Sequence, residues 1–174
     1  MRDACAFEAC YVAHRRHVVA YCLRRADRGD AEEAADETFL IAWRRFEEIP
    51  TGQERAWLYG VAFHVLGNQH RGAQRRRRLG DRLAQHRQDA FGGPESTILL
   101  AEEQQRLHSA YLRLSIDDQE VLRLAAWEEL THEQIGVALG CSASAARQRL
   151  HRARTRLAQQ LQRPSILIRG VARD

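Results

Sequence analysis

The chain has 174 residues, of which 44% are hydrophobic and 29% are charged, and its formal net charge is +4. This composition is typical of a globular protein and excludes both a disordered chain and a membrane-embedded one. No apolar run approaches the roughly 18–20 residues that span a bilayer, and the N-terminus has no signal-peptide pattern. We therefore expect a cytoplasmic protein, without membrane insertion, that folds as one domain or two small ones.

Cysteine and histidine residues raise the question of a metal site. Cys10, His14 and His17 lie along one stripe of a helix, with Cys5 one turn earlier. The alternation of this stripe with apolar residues favours a core or boundary position instead, so we predict neither a metal ion nor another cofactor. The sequence leaves open whether Cys5, Cys10, Cys22, His14 or His17 sense redox state or bind metal. The chain contains four cysteines and no CxxC pair: Cys5, Cys10, Cys22 and Cys141.

Helical periodicity dominates the first part of the chain. From Phe7 onward, apolar positions recur at alternating steps of four and three, which predicts an amphipathic helix that ends near residues 27–29. Asp30 and Glu33 have the spacing of a capping box, which predicts a second helix running until Pro50.

A third helix is predicted over residues 54–71, and a run of four arginines follows at residues 75–78. The polar, glycine-containing segment that comes next is typical of a linker. We therefore predict an all-α protein of two small helical domains, covering residues 1–79 and 99–163, joined by a flexible linker over residues 80–98. Residues 164–174 form a C-terminal tail whose role is open.

The second half carries the pattern of a helix-turn-helix. Ser115 caps one predicted helix, and Thr131 with Gln134 caps a short one that ends at Gly140. A longer helix starts after Ser142 and contains no acidic residue before residue 163. Two helices joined by a tight turn, with a basic second helix, are typical of a unit that binds the DNA major groove.

Arginines along this last helix are expected to divide into two roles. By helical spacing, Arg147, Gln148, His151 and Arg152 point together into the groove. Arg154 and Arg156 lie further along and are expected to contact phosphates.

The first half carries two further patterns. Five acidic side chains lie between residues 30 and 37 with no basic residue among them, which indicates a partner protein with a basic surface. In the third helix, aromatic residues alternate with bases and amides, a composition that suits stacking on unpaired nucleic-acid bases. For Tyr59, Phe63 and His64 a core position is an equally good explanation, whereas Trp57 is expected in the core.

Several segments of the sequence resemble those of sigma factors of the extracytoplasmic-function (ECF) class, in the sigma-70 family. Residues 36–44 (DETFLIAWR) resemble sigma region 2.2, and residues 55–62 (RAWLYGVA) resemble the start of region 2.3. Residues 119–124, 135–142 and 147–154 resemble region 4. Together the segments cover nearly the whole chain apart from the linker and the tail.

The resemblance implies a non-enzymatic subunit that binds core RNA polymerase, recognises the −35 promoter element as duplex and opens the −10 element. An anti-sigma factor is a further candidate partner. The resemblance assigns core-polymerase binding to Asp36, Glu37 and Phe39. It places Tyr59, Phe63, His64, Asn68 and Arg71 near the melted −10 strand. It places Arg147, Gln148, Arg149, His151 and Arg152 at the −35 major groove.

Two other classes of protein compete with this interpretation. A helix-turn-helix regulator that does not bind core polymerase would explain the second half, although it would not need the acidic and aromatic-basic helices of the first. A hydrolase or metal enzyme has little support, because the sequence has no glycine-rich phosphate loop and no nucleophile motif.

Overall fold

The computed structural model describes residues 4–80 and 102–162, and every regular element in these ranges is a helix. This confirms the predicted all-α fold. The predicted tail and almost all of the predicted linker lie outside the described residues. The helices are α1 (Ala4–Leu23), α2 (Arg28–Arg44), a 3₁₀ turn (Phe46–Glu48), α3 (Glu54–Gly80), α4 (Glu102–Leu112), α5 (Ile116–Ala126), α6 (His132–Ala138) and α7 (Ala143–Gln162).

Helices α1, α2 and α3 pack together as an N-terminal unit. The face of α2 that points inward is built from small residues, which lets the helix axes approach closely. Thr38 on the same face is buried and donates its hydroxyl proton to the Ala34 carbonyl, at 2.7 Å. The buried alanines of this face are Ala31, Ala34, Ala35 and Ala42.

The start of α2 differs from the prediction. Asp27, not Asp30, is the N-cap, and its side chain accepts a hydrogen bond of 3.0 Å from the Asp30 backbone N–H. The predicted capping box of Asp30 and Glu33 is therefore wrong. Asp27 and Asp30 have the same spacing as Asp30 and Glu33, and the first aspartate in the series takes the cap position.

Helix α3 is longer than predicted, since it runs to Gly80 and includes the arginines at residues 75–78. Arginine is a good helix former, so the basic run extends the helix instead of ending it. Gly60 and Gly67 lie inside α3 without interrupting it.

Helices α4 to α7 form a C-terminal unit, and the predicted caps are confirmed there. Ser115 caps α5 and accepts a hydrogen bond from the Asp118 N–H. Thr131 and Gln134 form a reciprocal capping box at the start of α6. Gly140 has φ +62° after α6, the left-handed conformation that glycine adopts without strain.

The two units pack directly against each other through a shared apolar core and a buried polar cluster. Arg25 of α1 donates to both carboxylate oxygens of Glu120 of α5, at 3.0 and 3.1 Å, and to Glu128 at 3.3 Å. Tyr21 donates its hydroxyl proton to Glu120 at 2.6 Å, and Arg24 donates to Glu128 at 2.6 Å. We call these five residues the ion-pair cluster. Arg25 is only 4% exposed and Glu120 only 2%.

Candidate nucleic-acid interface

Helices α6 and α7 form the predicted helix-turn-helix, and α7 presents a polar face to solvent. Ala146, Leu150 and Ala153 are buried and fix the rotation of α7 about its axis. All five predicted −35 residues are consequently exposed: Arg147, Gln148, Arg149, His151 and Arg152.

A surface groove runs between the start of α6 and the exposed face of α7. Four of the five predicted readers line it, namely Arg147, Gln148, His151 and Arg152. Thr131 and Ser144 add hydroxyl groups to its wall. Basic and amide side chains gathered in one groove beside a helix start are suited to base edges and phosphates of duplex DNA.

Arg149 does not line this groove. It lines a cavity between the two units, together with Arg152 and with Phe63 and His64 of α3. The structure therefore brings four predicted −35 residues together in the groove and places Arg149 on the side of α7 that faces α3.

Arg156 is exposed and lies next to an acidic partner. Its guanidinium donates to the Asp118 carboxylate at 2.6 Å, which joins α7 to α5. The expected contact between Arg156 and a DNA phosphate stays a prediction, and in this structure the charge of Arg156 is paired within the C-terminal unit.

Helix α3 presents three of its predicted −10 residues to solvent, His64, Asn68 and Arg71. Arg71 donates a 2.7 Å hydrogen bond to the Asn68 side-chain oxygen, so the two side chains hold each other along the helix. Phe63 is half-buried, and its ring meets that of His64 edge to face at 5.8 Å between centroids. The exposed face of α3 therefore presents the ring edge of Phe63, the imidazole of His64 and the hydrogen-bonded pair of Asn68 and Arg71.

The prediction for Tyr59 needs correction. Tyr59 is 2% exposed and stacks on Tyr21, with ring centroids 4.6 Å apart and 11° between the ring planes. Burial raises the pKa of Tyr59 to about 12, and the carboxylate of Glu128 contributes to the rise. In this conformation the ring is a core residue under the C-terminal unit and cannot reach a DNA strand. Trp57, expected in the core, is only half-buried and packs at its edge.

On α2, Asp36 and Glu37 are exposed as predicted, whereas Phe39 is not. Phe39 is 4% exposed and meets Tyr11 edge to face at 4.8 Å, so its predicted contact with polymerase is wrong for this conformation. Leu40 is 49% exposed and shares the face of Asp36 and Glu37. Sequence reasoning missed Leu40, although its position between Asp36 and Glu37 on a helical projection could have identified it.

Neither a metal cluster nor a membrane span is present in the described ranges. Residues 4–80 and 102–162 contain no group of three or more His, Cys, Asp or Glu side chains that could hold a metal ion. No helix among them is long and apolar enough to cross a bilayer. Cys22 is fully buried, and burial raises the pKa of its thiol to about 12, whereas Cys5 is exposed.

Comparison with known proteins matches the two units to two parts of one family. Residues 10–76 match the model of sigma-70 region 2, and residues 104–157 match that of sigma-70 region 4. The chain is 29% identical over 154 residues to the ECF RNA polymerase sigma factor SigD of Mycobacterium tuberculosis, covering 83% of this chain and 71% of SigD. It is 28% identical over 156 residues to SigL of the same species, covering 86% and 85%.

A solved structure has the same fold. The sigma factor RpoE of Bartonella quintana, determined in complex with the anti-sigma factor NepR, aligns with a TM-score of 0.60 at 20% identity, covering 90% of this chain and 96% of RpoE.

The chain belongs to the sigma-70 family and is a sigma factor of the ECF class, with region 2 in the N-terminal unit and region 4 in the C-terminal unit. The family resemblance predicted from the sequence is thereby confirmed. A function in transcription initiation follows from the family, and sigma factors are not enzymes. The match to region 2 also argues against the alternative of an ordinary helix-turn-helix regulator.

Proposed function

We propose that this sigma factor divides promoter recognition and polymerase binding among three surfaces. The groove of α6 and α7 binds the −35 element, the exposed face of α3 holds the −10 strand, and the acidic face of α2 binds core polymerase. The observation that carries the proposal is the convergence of Arg147, Gln148, His151 and Arg152 on one groove of the helix-turn-helix.

Within the groove, the side chains have different capacities. Arg147 and Arg152 can each form two parallel hydrogen bonds to a guanine edge, and Gln148 can pair in the same way with adenine. His151 adds a donor that suits either a base or a phosphate. Arg149, on the α3 side of the helix, is assigned to the backbone and not to sequence reading.

On α3, the proposal assigns His64 and Phe63 to stacking and Asn68 with Arg71 to the strand's polar edges and phosphates. Aromatic stacking is worth about 1–3 kcal/mol per base and is available only after the bases unpair. Tyr59 joins this surface only if the C-terminal unit moves away from it.

For core polymerase, the proposed contact comprises Asp36, Glu37 and Leu40. An exposed leucine between two carboxylates provides apolar contact area inside an acidic rim, a combination that supports binding to a basic protein surface. We also propose an anti-sigma factor as a partner, since RpoE of Bartonella quintana was determined with one. A polymerase subunit with this role acts in the cytoplasm.

Site-specific photo-crosslinking tests the division of surfaces. A photoreactive amino acid replaces Gln148 or His64 in the polymerase-bound sigma factor, and a control probe replaces the exposed Glu8 of α1. We expect Gln148 to crosslink to the −35 duplex, His64 to the −10 strand, and Glu8 to neither. Crosslinks from Gln148 to the −10 strand, or none from either position, would contradict the proposal.

A further inference from the structure

A cavity of about 810 Å³ lies between α3 on one side and α4 and α5 on the other. Its volume is within the range of about 300–1,000 Å³ that is typical of small-molecule sites. The cavity shares no residue with the groove of α6 and α7. It also contains none of the residues of the proposed polymerase contact on α2. The cavity is therefore large enough for a small molecule, and its lining determines which kind.

Part of the cavity wall is apolar. Phe63 and Leu66 line it from α3, while Leu112 and Ile116 line it from the end of α4 and the start of α5. Leu112 is 41% exposed and Ile116 is 61% exposed, although both are large aliphatic side chains. A ligand with an apolar body would remove part of this surface from water, which is favourable.

Charged side chains of both signs line the cavity, and the basic ones are in excess. Arg25 and Glu120 pair with each other inside the ion-pair cluster. Of the other charged side chains on the wall, Arg71 and Arg123 are basic and Asp117 is acidic. Two histidines also line the wall, and histidine becomes cationic in mildly acidic solution. This balance favours an anionic ligand over a cationic one.

The two remaining arginines differ in how they are held. Arg71 donates to the side-chain oxygen of Asn68, a neutral group that leaves the arginine charge uncompensated. The Arg123 guanidinium lies 5.3 Å from the ring centroid of Tyr111 and 5.7 Å from that of Trp127, so aromatic rings hold it at the wall. Its Nε is buried without a hydrogen-bond acceptor in the part of the chain that the structure describes. A carboxylate can accept parallel hydrogen bonds from such a guanidinium.

We propose that this cavity is a binding site for a small amphipathic anion, a carboxylic acid with an aliphatic or aromatic body. Its carboxylate accepts hydrogen bonds from Arg123, Arg71 adds positive charge, and its apolar body packs against Phe63, Leu112 and Ile116. Phe63 and Arg71 also belong to the proposed −10 surface, so a bound anion would withdraw them from the strand. This consequence rests on the proposed function, whereas the site itself does not.

Calorimetric titration of the full chain with three probes of one chain length tests the preference for an anion. Octanoate is the anionic probe, 1-octanol the neutral one and octylammonium the cationic one. We expect octanoate to bind at one site per chain and the other two to bind at least about tenfold more weakly, because they cannot accept charge-assisted hydrogen bonds in the same way. No octanoate binding, or equal affinity for octanoate and either other probe, would overturn the anion site.

Matched arginine variants test where the carboxylate binds. Arg123→Met removes the guanidinium from the wall and keeps an unbranched side chain. Arg113→Met makes the same change at an exposed residue that does not line the cavity. We expect the octanoate affinity to fall about tenfold in Arg123→Met and to stay unchanged in Arg113→Met, with both variants folded by circular dichroism. Equal octanoate affinities in the two variants would overturn the role of Arg123.

A variant that fills the cavity tests the location without removing a charge. Gly67 lines the cavity, and a Cβ added there lies 3.6 Å from the flexible Arg71 guanidinium, an ordinary contact. Gly67→Leu should fold, because leucine favours a helix more than glycine does, and its side chain should abolish octanoate binding. Gly29→Leu on α2 is the control, since Gly29 is exposed and does not line the cavity, and it should bind octanoate like the wild type. Wild-type affinity in folded Gly67→Leu would show that octanoate binds elsewhere and would overturn the site.

Discussion

The guanidinium of Arg156 donates a 2.6 Å hydrogen bond to the carboxylate of Asp118, so the far part of the DNA-reading helix is tied to α5. Asp118 is also the residue whose backbone N–H is capped by Ser115. One short segment of α5 thus supports both the start of its own helix and the position of α7. The ion pair therefore gives Arg156 a role in positioning α7.

Replacing Arg152 or Arg156 with alanine should have different effects. Arg152→Ala removes a groove-lining donor, which costs about 1–3 kcal/mol of discrimination at one base position. Arg156→Ala breaks a partly exposed ion pair, so it should lower the unfolding free energy by about 0.2–1 kcal/mol and leave the base preference unchanged. Binding selections over a randomised −35 hexamer at two salt concentrations measure the base preference and the salt dependence of each variant. An Arg152 variant with unchanged preference and only a smaller salt dependence would identify Arg152 as a backbone contact.

Charge reversal on α2 should weaken polymerase binding. Glu37→Arg places a positive charge on the acidic face, and Leu40→Asp removes the exposed apolar contact beside it. Both should raise the dissociation constant for core polymerase in a pull-down titration, whereas Glu8→Arg on α1 should leave it unchanged. An unaltered affinity in both α2 variants would remove this face from the interface.

Phe39→Ala is expected to act on stability instead. The ring is buried against Tyr11, so its removal should lower the unfolding free energy by about 3–5 kcal/mol. Polymerase affinity per folded molecule should stay close to that of the wild type. Chemical denaturation combined with the same pull-down titration separates the two effects. If the fully folded Phe39→Ala variant binds core polymerase much more weakly than the wild type, Phe39 belongs to the polymerase interface.

Alanine at Phe63 or His64 should impair strand opening more than formation of the initial duplex complex. Stacking contributes only once bases are unpaired. His64 is exposed and Phe63 is half-buried beside it on α3. Fluorescent bases in the −10 element report the opening rate of the polymerase complex. If opening is as fast as in the wild type while the fold is intact, these two side chains are structural.

The capping box of α6 should contribute measurably to the helix-turn-helix. Thr131→Ala removes one of two reciprocal hydrogen bonds at the start of α6, which costs about 1 kcal/mol of unfolding free energy. Thr155→Ala is the matched control, because its exposed hydroxyl donates to the His151 carbonyl of its own helix. Equal midpoints for the two variants in urea would show that the cap is dispensable.

Acidification should destabilise the protein through His14. Burial lowers the pKa of His14 below its ordinary value of 6.5, and although nearby Glu54 opposes this shift, burial dominates. The folded protein then binds this proton less tightly than the unfolded chain, so the stabilising contribution is full above pH 6.5 and is lost as the pH falls below it. Between about pH 7.5 and 5.5, the wild type should lose more stability than His14→Gln. If the wild type and His14→Gln lose the same unfolding free energy in urea over this pH range, His14 is not the cause of the acid destabilisation.

Local signals in the sequence predicted much of this fold. Helical periodicity and the caps at Ser115 and Thr131 depend on residues three or four positions apart, so the sequence contains the needed information. The cap at Asp27 was missed because neighbouring aspartates offer the same spacing at two positions. Contacts between the units were not predictable, since Arg25 and Glu120 are 95 residues apart and nothing local pairs them.

The sequence predicted the chemical type of the site residues better than it predicted their exposure. The polar residues of α7 emerge on one side because the buried Ala146 and Leu150 fix its rotation. Phe39 and Tyr59 were assigned to partners although both are core residues here, because aromatic side chains suit either role and only tertiary packing decides between them.

Run-off transcription with purified core RNA polymerase tests the central claim most directly. Templates carry a library of random sequence upstream of a fixed transcribed region, and the transcribed templates are sequenced. With this sigma factor added, the transcribed templates should share two separated sequence blocks, and Arg152→Ala should relax only the upstream one. Transcription indistinguishable from that of core polymerase alone, with no block enriched, would contradict the assignment of this chain as a promoter-recognising sigma factor.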